Sequence, residues 1–314
     1  MTTSLHGFFN MDKAAGITSM DVVRKVKRLT GMRHVGHAGT LDPEATGVLP
    51  VCLGQATRLM QMVVDGHKEY LATVRLGVTT DTYDAAGQVL DQRDPSGVTE
   101  EALLTALSSM KGEIRQTPPA YSALKQQGRR LHELARAGVR VEPAPRMVEV
   151  VRLELTLWQP PVVTLAIECG RGFYVRSLAH DLGQSLGCGA HLSGLRRLRT
   201  GPFRIEQAVS LEQLSQAMQD GTWSSLLYQP DYVVLSRGAV TLDAREEKLV
   251  RNGQGVALSP RTHYAPHLQE CMAYNAQGVF LALLKFNRAD RVWQPFKVFQ
   301  LDTPSPYREQ NPLG

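Results

Sequence analysis

Cysteine is scarce and scattered. The four in this 314-residue chain, Cys52, Cys169, Cys188 and Cys271, form no C-x-x-C pair. That spacing excludes a zinc ribbon or a disulfide framework and predicts buried, reduced thiols. Long apolar runs are also missing. Hydrophobic residues make up 43% of the chain, yet no stretch approaches the ~20 consecutive apolar residues that a membrane helix needs. The apolar content therefore belongs to a core, and no membrane partner is expected. The opening MTTSLHGFFN has no basic-then-apolar leader pattern, so the cytoplasm is the expected location. No internal repeat is visible. The length suits one large domain with a small one attached.

Acid is scarce where base is plentiful. Residues 24–37 hold Arg24, Lys25, Lys27, Arg28 and Arg33 with no acid. Residues 118–148 hold Lys125, Arg129, Arg130, Arg136, Arg140 and Arg146 against Glu133 and Glu142. Residues 171–204 hold Arg171, Arg176, Arg196, Arg197, Arg199 and Arg204 against Asp181 alone. One such cluster could be a solvated face. Three of them, in a chain of pI about 9.1, favour a polyanionic partner.

Periodicity gives a mixed α/β core without the regular β-α-β alternation of a doubly wound sheet. Thr18 or Ser19 can cap a helix through Val22, Val23, Val26 and Leu29, with basic residues on its other face. Glu69–Leu76 alternates as a strand, and Thr99 can cap a helix over Glu100–Met110. Glu149–Trp158 and Val162–Cys169 read as strands joined at Gln159-Pro160-Pro161. A helix is expected over Val175–Leu186. Between Thr117 and Met147, prolines and glycines bracket a basic helical piece around Leu131–Ala137, which reads as an insertion. YQPDYVVLSRG reads as a linker after Leu227. A short helix (Ala244–Val250) and strands near Cys271–Tyr274, Val279–Phe286 and Phe296–Leu301 then predict a small β-rich domain. Residues 303–314 are polar and expected to be disordered.

The chemistry points to GHAGTLDPEATGVLPVCLG, Gly36–Gly54. Its one aspartate, Asp42, stands on a Gly- and Pro-bracketed stretch with His37 as the nearby general-base candidate. Asp42 reads as a carboxylate acting alone. Glycoside hydrolysis uses two, and a metal needs ligands at ligand spacing. An ordinary turn would use the same residue types. The rest of the chain decides against the turn. The segment resembles the catalytic motif of the TruB family of pseudouridine synthases, which modify the T loop of transfer RNA. Four further stretches resemble that family in order: Asn10–Val23, Lys68–Gly87, Gln116–Val139, and Cys169–Phe203, the last in two pieces. Ala14 stands where the family usually carries proline, a change bearing on local rigidity.

The resemblance implies the pseudouridine synthase fold, an α+β fold with a central mixed, largely antiparallel sheet and a thumb-like insertion at about 117–147. It implies a catalytic domain over 1–234 and a PUA-like RNA-binding domain over 235–302. Asp42 is implied as nucleophile, Tyr70 as the stacking partner of an extruded base, and Arg176 as the cation that holds Asp42 ionised. Asp84 would read the base edge, Leu195 would pack beneath it, and His37 would enter the T loop. Lys13 and Tyr174 would also touch the substrate. Arg129, Arg130, Arg136, Arg196 and Arg197 would meet backbone phosphates. No metal or organic cofactor has a part, because no redox step occurs and the leaving base is recaptured. The implied partner is transfer RNA, through its T arm and with the acceptor stem in reach of the C-terminal domain, bound by a monomer. Three alternatives stay open: a related synthase acting on another RNA, an RNA-folding protein without essential catalysis, and a metal-dependent hydrolase using His37, Asp42 and His67.

Overall fold

The computed structural model describes residues 5–121, 125–126, 129–130, 143–258 and 265–308. A ten-stranded sheet forms its centre. Eight strands make the main path: β1 (Gly7–Lys13), β2 (Thr46–Leu53), β3 (Lys68–Leu76), β4 (Gly112–Gln116), β5 (Arg146–Gln159), β6 (Val162–Cys169), β7 (Ala190–Thr200) and β8 (Leu227–Tyr228). Their spatial order is β8, β1, β2, β7, β3, β6, β5, β4. Short strands Val35–His37 and Phe203–Arg204 pair with β2 and β7. All pairings are antiparallel except β2 with β7, where Thr46 and Gly47 lie beside Arg196 and Arg197 in parallel register. That exception joins the Asp42 segment to the arginine-rich strand.

Alternation decides which face each strand buries. Along β6, Val163, Leu165, Ile167 and Cys169 are buried under α2 (Glu100–Ser109) and α3 (Val175–Ser185), which supply Leu103, Leu107, Leu178 and Leu182. Near β1 and β2, α1 (Ser19–Thr30) and α4 (Leu211–Gln219) cover Phe9, Met11, Leu49 and Val51. Thr18 caps α1 reciprocally with Asp21, and Gly31 ends it at φ 66°, a left-handed conformation glycine adopts without strain. Arg24, Lys25 and Arg28 stay exposed on its outer side.

The C-terminal sheet runs β9 (Gly238–Thr241), β10 (Glu270–Tyr274), β11 (Phe280–Asn287), β12 (Val292–Val298). Its period-2 pattern serves two cores. Cys271 and Ala273 face the cluster under α5 (Ala244–Arg251). Met272 and Tyr274 join Phe8, Val48, Phe203, Phe280 and Phe299 in a core shared with the main sheet. Each buried aromatic there contributes about 1.5–3 kcal/mol, so the two sheets are welded rather than tethered.

Several expectations are corrected. The supposed linker is packed: Asp231 is fully buried, and Tyr228 and Tyr232 lie against Phe203. Thr303–Arg308 is not a disordered tail. Pro304 bridges Val279, the Ser305 amide donates to the Gly278 carbonyl at 2.9 Å, and Tyr307 meets Tyr232 at 5.4 Å. Aromatic contacts outweigh the polar composition that suggested disorder. The last strand begins at Val292, because Trp293 fills the small core. The helical piece over 131–137 and residues 309–314 lie outside the described residues. All four cysteines are buried. No helix among the described residues is long and apolar enough to cross a membrane.

Candidate active site

The Asp42 segment is a loop hung from three anchors. The Ser19 hydroxyl, at the start of α1, accepts from the Leu41 amide at 2.9 Å and donates to the Leu41 carbonyl at 3.1 Å. The Lys13 ammonium donates to the carbonyls of Ala14, Ile17 and Pro43 at 2.7–2.8 Å. Arg197 donates to the carbonyls of Val48 at 2.7 Å, Gly39 at 2.9 Å and Thr40 at 3.4 Å. Both basic residues are almost completely buried. Lys13, expected to touch substrate, spends all three ammonium donors on backbone. Arg197, expected on phosphate, lies inside the protein. A family motif marked Lys13 and a basic run contained Arg197; in the structure both spend their donors on backbone of the loop.

Arg176 rises from the first turn of α3, and its side chain is 9% exposed. Its Nε and Nη2 face the two Asp42 carboxylate oxygens at 3.1 and 3.4 Å. Nη2 also donates to the Tyr121 carbonyl at 3.0 Å and Nη1 to the Thr82 carbonyl at 3.4 Å, with Asp84 Oδ2 3.6 Å from Nη1. The sequence expectation that Asp42 and Arg176 meet therefore holds in geometry. The net electrostatic effect differs from that expectation. Burial pushes the Asp42 carboxyl above its ordinary range, Arg176 pulls it back only in part, Asp84 pushes it further up, and Lys13 pulls it down. Glu44, the second acid of the segment, is exposed.

Asp84 is fixed by its own turn. Its Oδ1 accepts from the Thr82 hydroxyl at 2.6 Å and the Ala86 amide at 3.1 Å. The preceding Tyr83 stands at φ 64° and stacks on His180 of α3, centroids 3.9 Å apart. Successive residues of this loop are thus gripped by α3, Thr82 and Asp84 by Arg176 and Tyr83 by His180. The sequence did not single out Tyr83 or His180. A spacing of four from Arg176 on one helix was the available signal.

Tyr70, on β3, is half-buried with its phenol toward Arg197, and burial pushes that phenol above its usual range. His37 is half-buried, and desolvation followed by the Arg197 charge lowers its imidazole pKa. Leu195 is partly buried between the two core clusters that meet below the loop. Tyr174 caps α3, its backbone clamped to the Gln116 side chain at 2.8 and 3.0 Å and its ring 5.2 Å from the Arg146 guanidinium. Arg196 is ion-paired to Asp12 at 2.9 Å and partly exposed. Arg199 is taken up by Glu69 and Glu168. Arg129 and Arg130 form a two-residue strand paired with Lys125–Gln126, their side chains outside the described residues, as is all of Arg136. Among the described residues no cluster of His, Cys, Asp and Glu could hold a metal, and His67 instead faces Glu149 and Glu168 at 3.4 and 3.6 Å.

Comparison with known proteins bears on the family. Residues 27–175 match the TruB family pseudouridylate synthase (N terminal domain), and residues 176–233 match the tRNA pseudouridylate synthase B C-terminal domain. A tRNA pseudouridine synthase B of Dehalococcoides mccartyi is 40% identical over 302 residues, 96% of this chain and 99% of that protein. One from Syntrophomonas wolfei is 39% identical over 310 residues, 95% of this chain and all of that protein. Among solved structures, a Cbf5-Nop10-Gar1 complex contains a chain similar at TM-score 0.68 and 26% identity, over 96% of this chain and 87% of that one. The chain belongs to the TruB family of pseudouridylate synthases.

Proposed function

We infer that this chain isomerises uridine to pseudouridine in the T loop of transfer RNA. The observation that carries the reading is the two-donor contact of buried Arg176 with Asp42 on an anchored loop, in a chain of this family. The N1–C1′ bond breaks, a C5–C1′ bond forms, and the proton lost from C5 is balanced by one gained at N1. No oxidant or co-reactant is consumed. Asp42 acts as nucleophile, by addition to C6 or attack at C1′, or else assists elimination to a glycal. Arg176 favours the ionised carboxylate against the opposing effect of burial. Tyr70 offers a ring face for the extruded base, and its raised phenol pKa favours a protonated hydroxyl over a phenolate base. Asp84 reads the base edge and Leu195 floors the pocket, with His37, neutral at pH 7, and Tyr174 at its rim.

We assign residues 1–234 to the catalytic unit, with 117–147 as the thumb-like insertion, and 235–302 to a PUA-like unit beside the acceptor side of the RNA. Arg129, Arg130, Arg136 and the exposed part of Arg196 meet phosphates. The enzyme acts as a monomer in the cytoplasm. Tritium release from C5-labelled uridine in a T-arm substrate tests the core of this reading. Asp42→Asn should fold and bind RNA as the parent does while losing turnover by roughly a thousandfold or more. Residual turnover within tenfold of the parent would reject Asp42 as nucleophile.

A further inference from the structure

Arg197 is 2% exposed, yet among the described residues no carboxylate pairs with it. A cation taken out of water without a counter-charge costs several kcal/mol, and such groups concentrate where function compensates the cost. Its neighbour Arg196 points to the opposite face, toward Asp12, as strand alternation requires. Arg197 points inward, where its guanidinium ties Gly39 and Thr40 on one side of Asp42 to Val48 on the other. Arg197 and Tyr70 are directly opposed across β7 and β3, and the Tyr70 phenol faces the same guanidinium. Two glycines of the Asp42 segment fit this arrangement. A Cβ at Gly47, already at φ 101°, would stand 2.2 Å from the Arg197 carbonyl, so the strands approach closely here, and Gly39 lies in ordinary contact range of Nη1.

We propose that Arg197 is a positioning residue for the reaction: one buried guanidinium fixes the loop that carries Asp42 and orients the Tyr70 hydroxyl, so nucleophile and stacking residue form one rigid unit. This rests on the reading of Asp42 and Tyr70 as catalytic. The planar fork suits the task, because a guanidinium directs several donors in fixed directions whereas an ammonium is a point charge. Arg197 touches no substrate and acts only through these partners. Its charge is shielded from solvent by the protein, so phosphate binding is not its function.

The test uses the full chain with Arg197→Lys, which keeps the charge, and Arg197→Met, which keeps the length. Transfer-RNA affinity, single-turnover rate and thermal midpoint are measured for each. For Arg197→Lys the affinity should stay near the parental value while the single-turnover rate falls roughly a hundredfold, the scale of a small misplacement of reacting groups. In a Tyr70→Phe background the same Lys substitution should cost less, because part of its effect passes through the absent hydroxyl. Strict additivity with Tyr70→Phe would overturn the coupling. A loss of affinity with a reduced salt slope and an unchanged rate would show a phosphate contact instead. A lowered midpoint with parental rate in the folded protein, or failure of Arg197→Lys to fold, would leave only a structural role and reject the proposal. Asp42→Asn is run alongside. If it kept turnover, the underlying assignment would fall; if it were inactive and Arg197→Lys fully active, only the present inference would fail.

Discussion

Two aspartates divide this molecule's chemistry between them. Asp42 and Asp231 both have carboxyl pKa values raised chiefly by burial. Asp42 keeps 42% of its side chain exposed and meets a guanidinium through both oxygens. Asp231 is fully enclosed at the seam between the two sheets, where the Tyr274 hydroxyl donates to Oδ2 at 2.7 Å and the Ser305 hydroxyl donates to the same oxygen. Its Oδ1 has no hydrogen-bond partner among the described residues. Burial alone therefore says nothing about role. On the proposed reading, a cation and solvent exposure suit a nucleophile, whereas two hydroxyls and full enclosure suit a joint.

Removing the cation should collapse that distinction and give the largest effect. Arg176→Met is expected to lower turnover by roughly a thousandfold at neutral pH, since it removes at once the charge that favours the Asp42 carboxylate and the two donors that orient it. The sign of the pH effect follows from the contributions to Asp42. Arg176 lowers its pKa, so without Arg176 the carboxylate forms only at higher pH, and the acidic limb of the kcat/KM profile moves upward. Arg176→Lys should fall between the variant and the parent. An acidic limb that stays in place in the Met variant would show that Arg176 positions Asp42 without tuning it.

This comparison also shows what could be read from the sequence. Asp42, Arg176, Tyr70 and Asp84 lie in long motifs, and the fold does bring Asp42, Arg176 and Asp84 within contact. The helices were legible where a cap and a 3.6-residue stripe coincide, as at Thr18 and Thr99. What local pattern could not supply is the partner of a charge. Arg197 and Arg199 look like solvent-facing base in a basic run, but strand pairing turns Arg197 onto loop carbonyls and Arg199 onto Glu69 and Glu168, and Lys13, carried by a motif, is turned by β1 onto backbone. Asp231 was hidden for the same reason. Its segment has the polar, Pro-containing composition of a linker, and only the return of Ser305 and Tyr307 encloses it.

At the joint the expected effect is on stability. Asp231→Ala removes the carboxyl oxygen that accepts from the buried Tyr274 hydroxyl and the half-buried Ser305 hydroxyl, leaving Tyr274 only the Met272 sulfur at 3.5 Å, so a loss of roughly 1–3 kcal/mol in unfolding free energy is expected, with turnover per folded molecule unchanged. Asp231→Asn keeps an oxygen for both hydroxyls and should cost far less. Because the folded-state pKa of Asp231 is raised, its protonated form stabilises the fold below the unfolded value and that contribution is lost as pH rises through the folded value. Denaturant midpoints across a pH series should therefore show Asp231→Asn gaining on the parent as pH increases. A constant difference would mean that Asp231 does not titrate in this range.

The smallest effect sharpens the Asp42 side of the comparison. Asp84 stands 3.6 Å from the Arg176 guanidinium and raises the Asp42 pKa as a like charge. Asp84→Asn removes that repulsion and frees Arg176 to serve Asp42 alone, so both consequences lower the Asp42 pKa. The acidic limb of kcat/KM should move to lower pH, opposite to the shift expected for Arg176→Met. The plateau should fall by roughly tenfold, the scale of one altered hydrogen bond to the base. Asparagine retains an oxygen for the Thr82 hydroxyl and the Ala86 amide, so the turn is preserved and the thermal midpoint should barely change. An upward shift of the limb would show that Asp84 supports Asp42 through Arg176 geometry more than it opposes it by charge, and the electrostatic account of Asp42 would need its sign reversed at this residue.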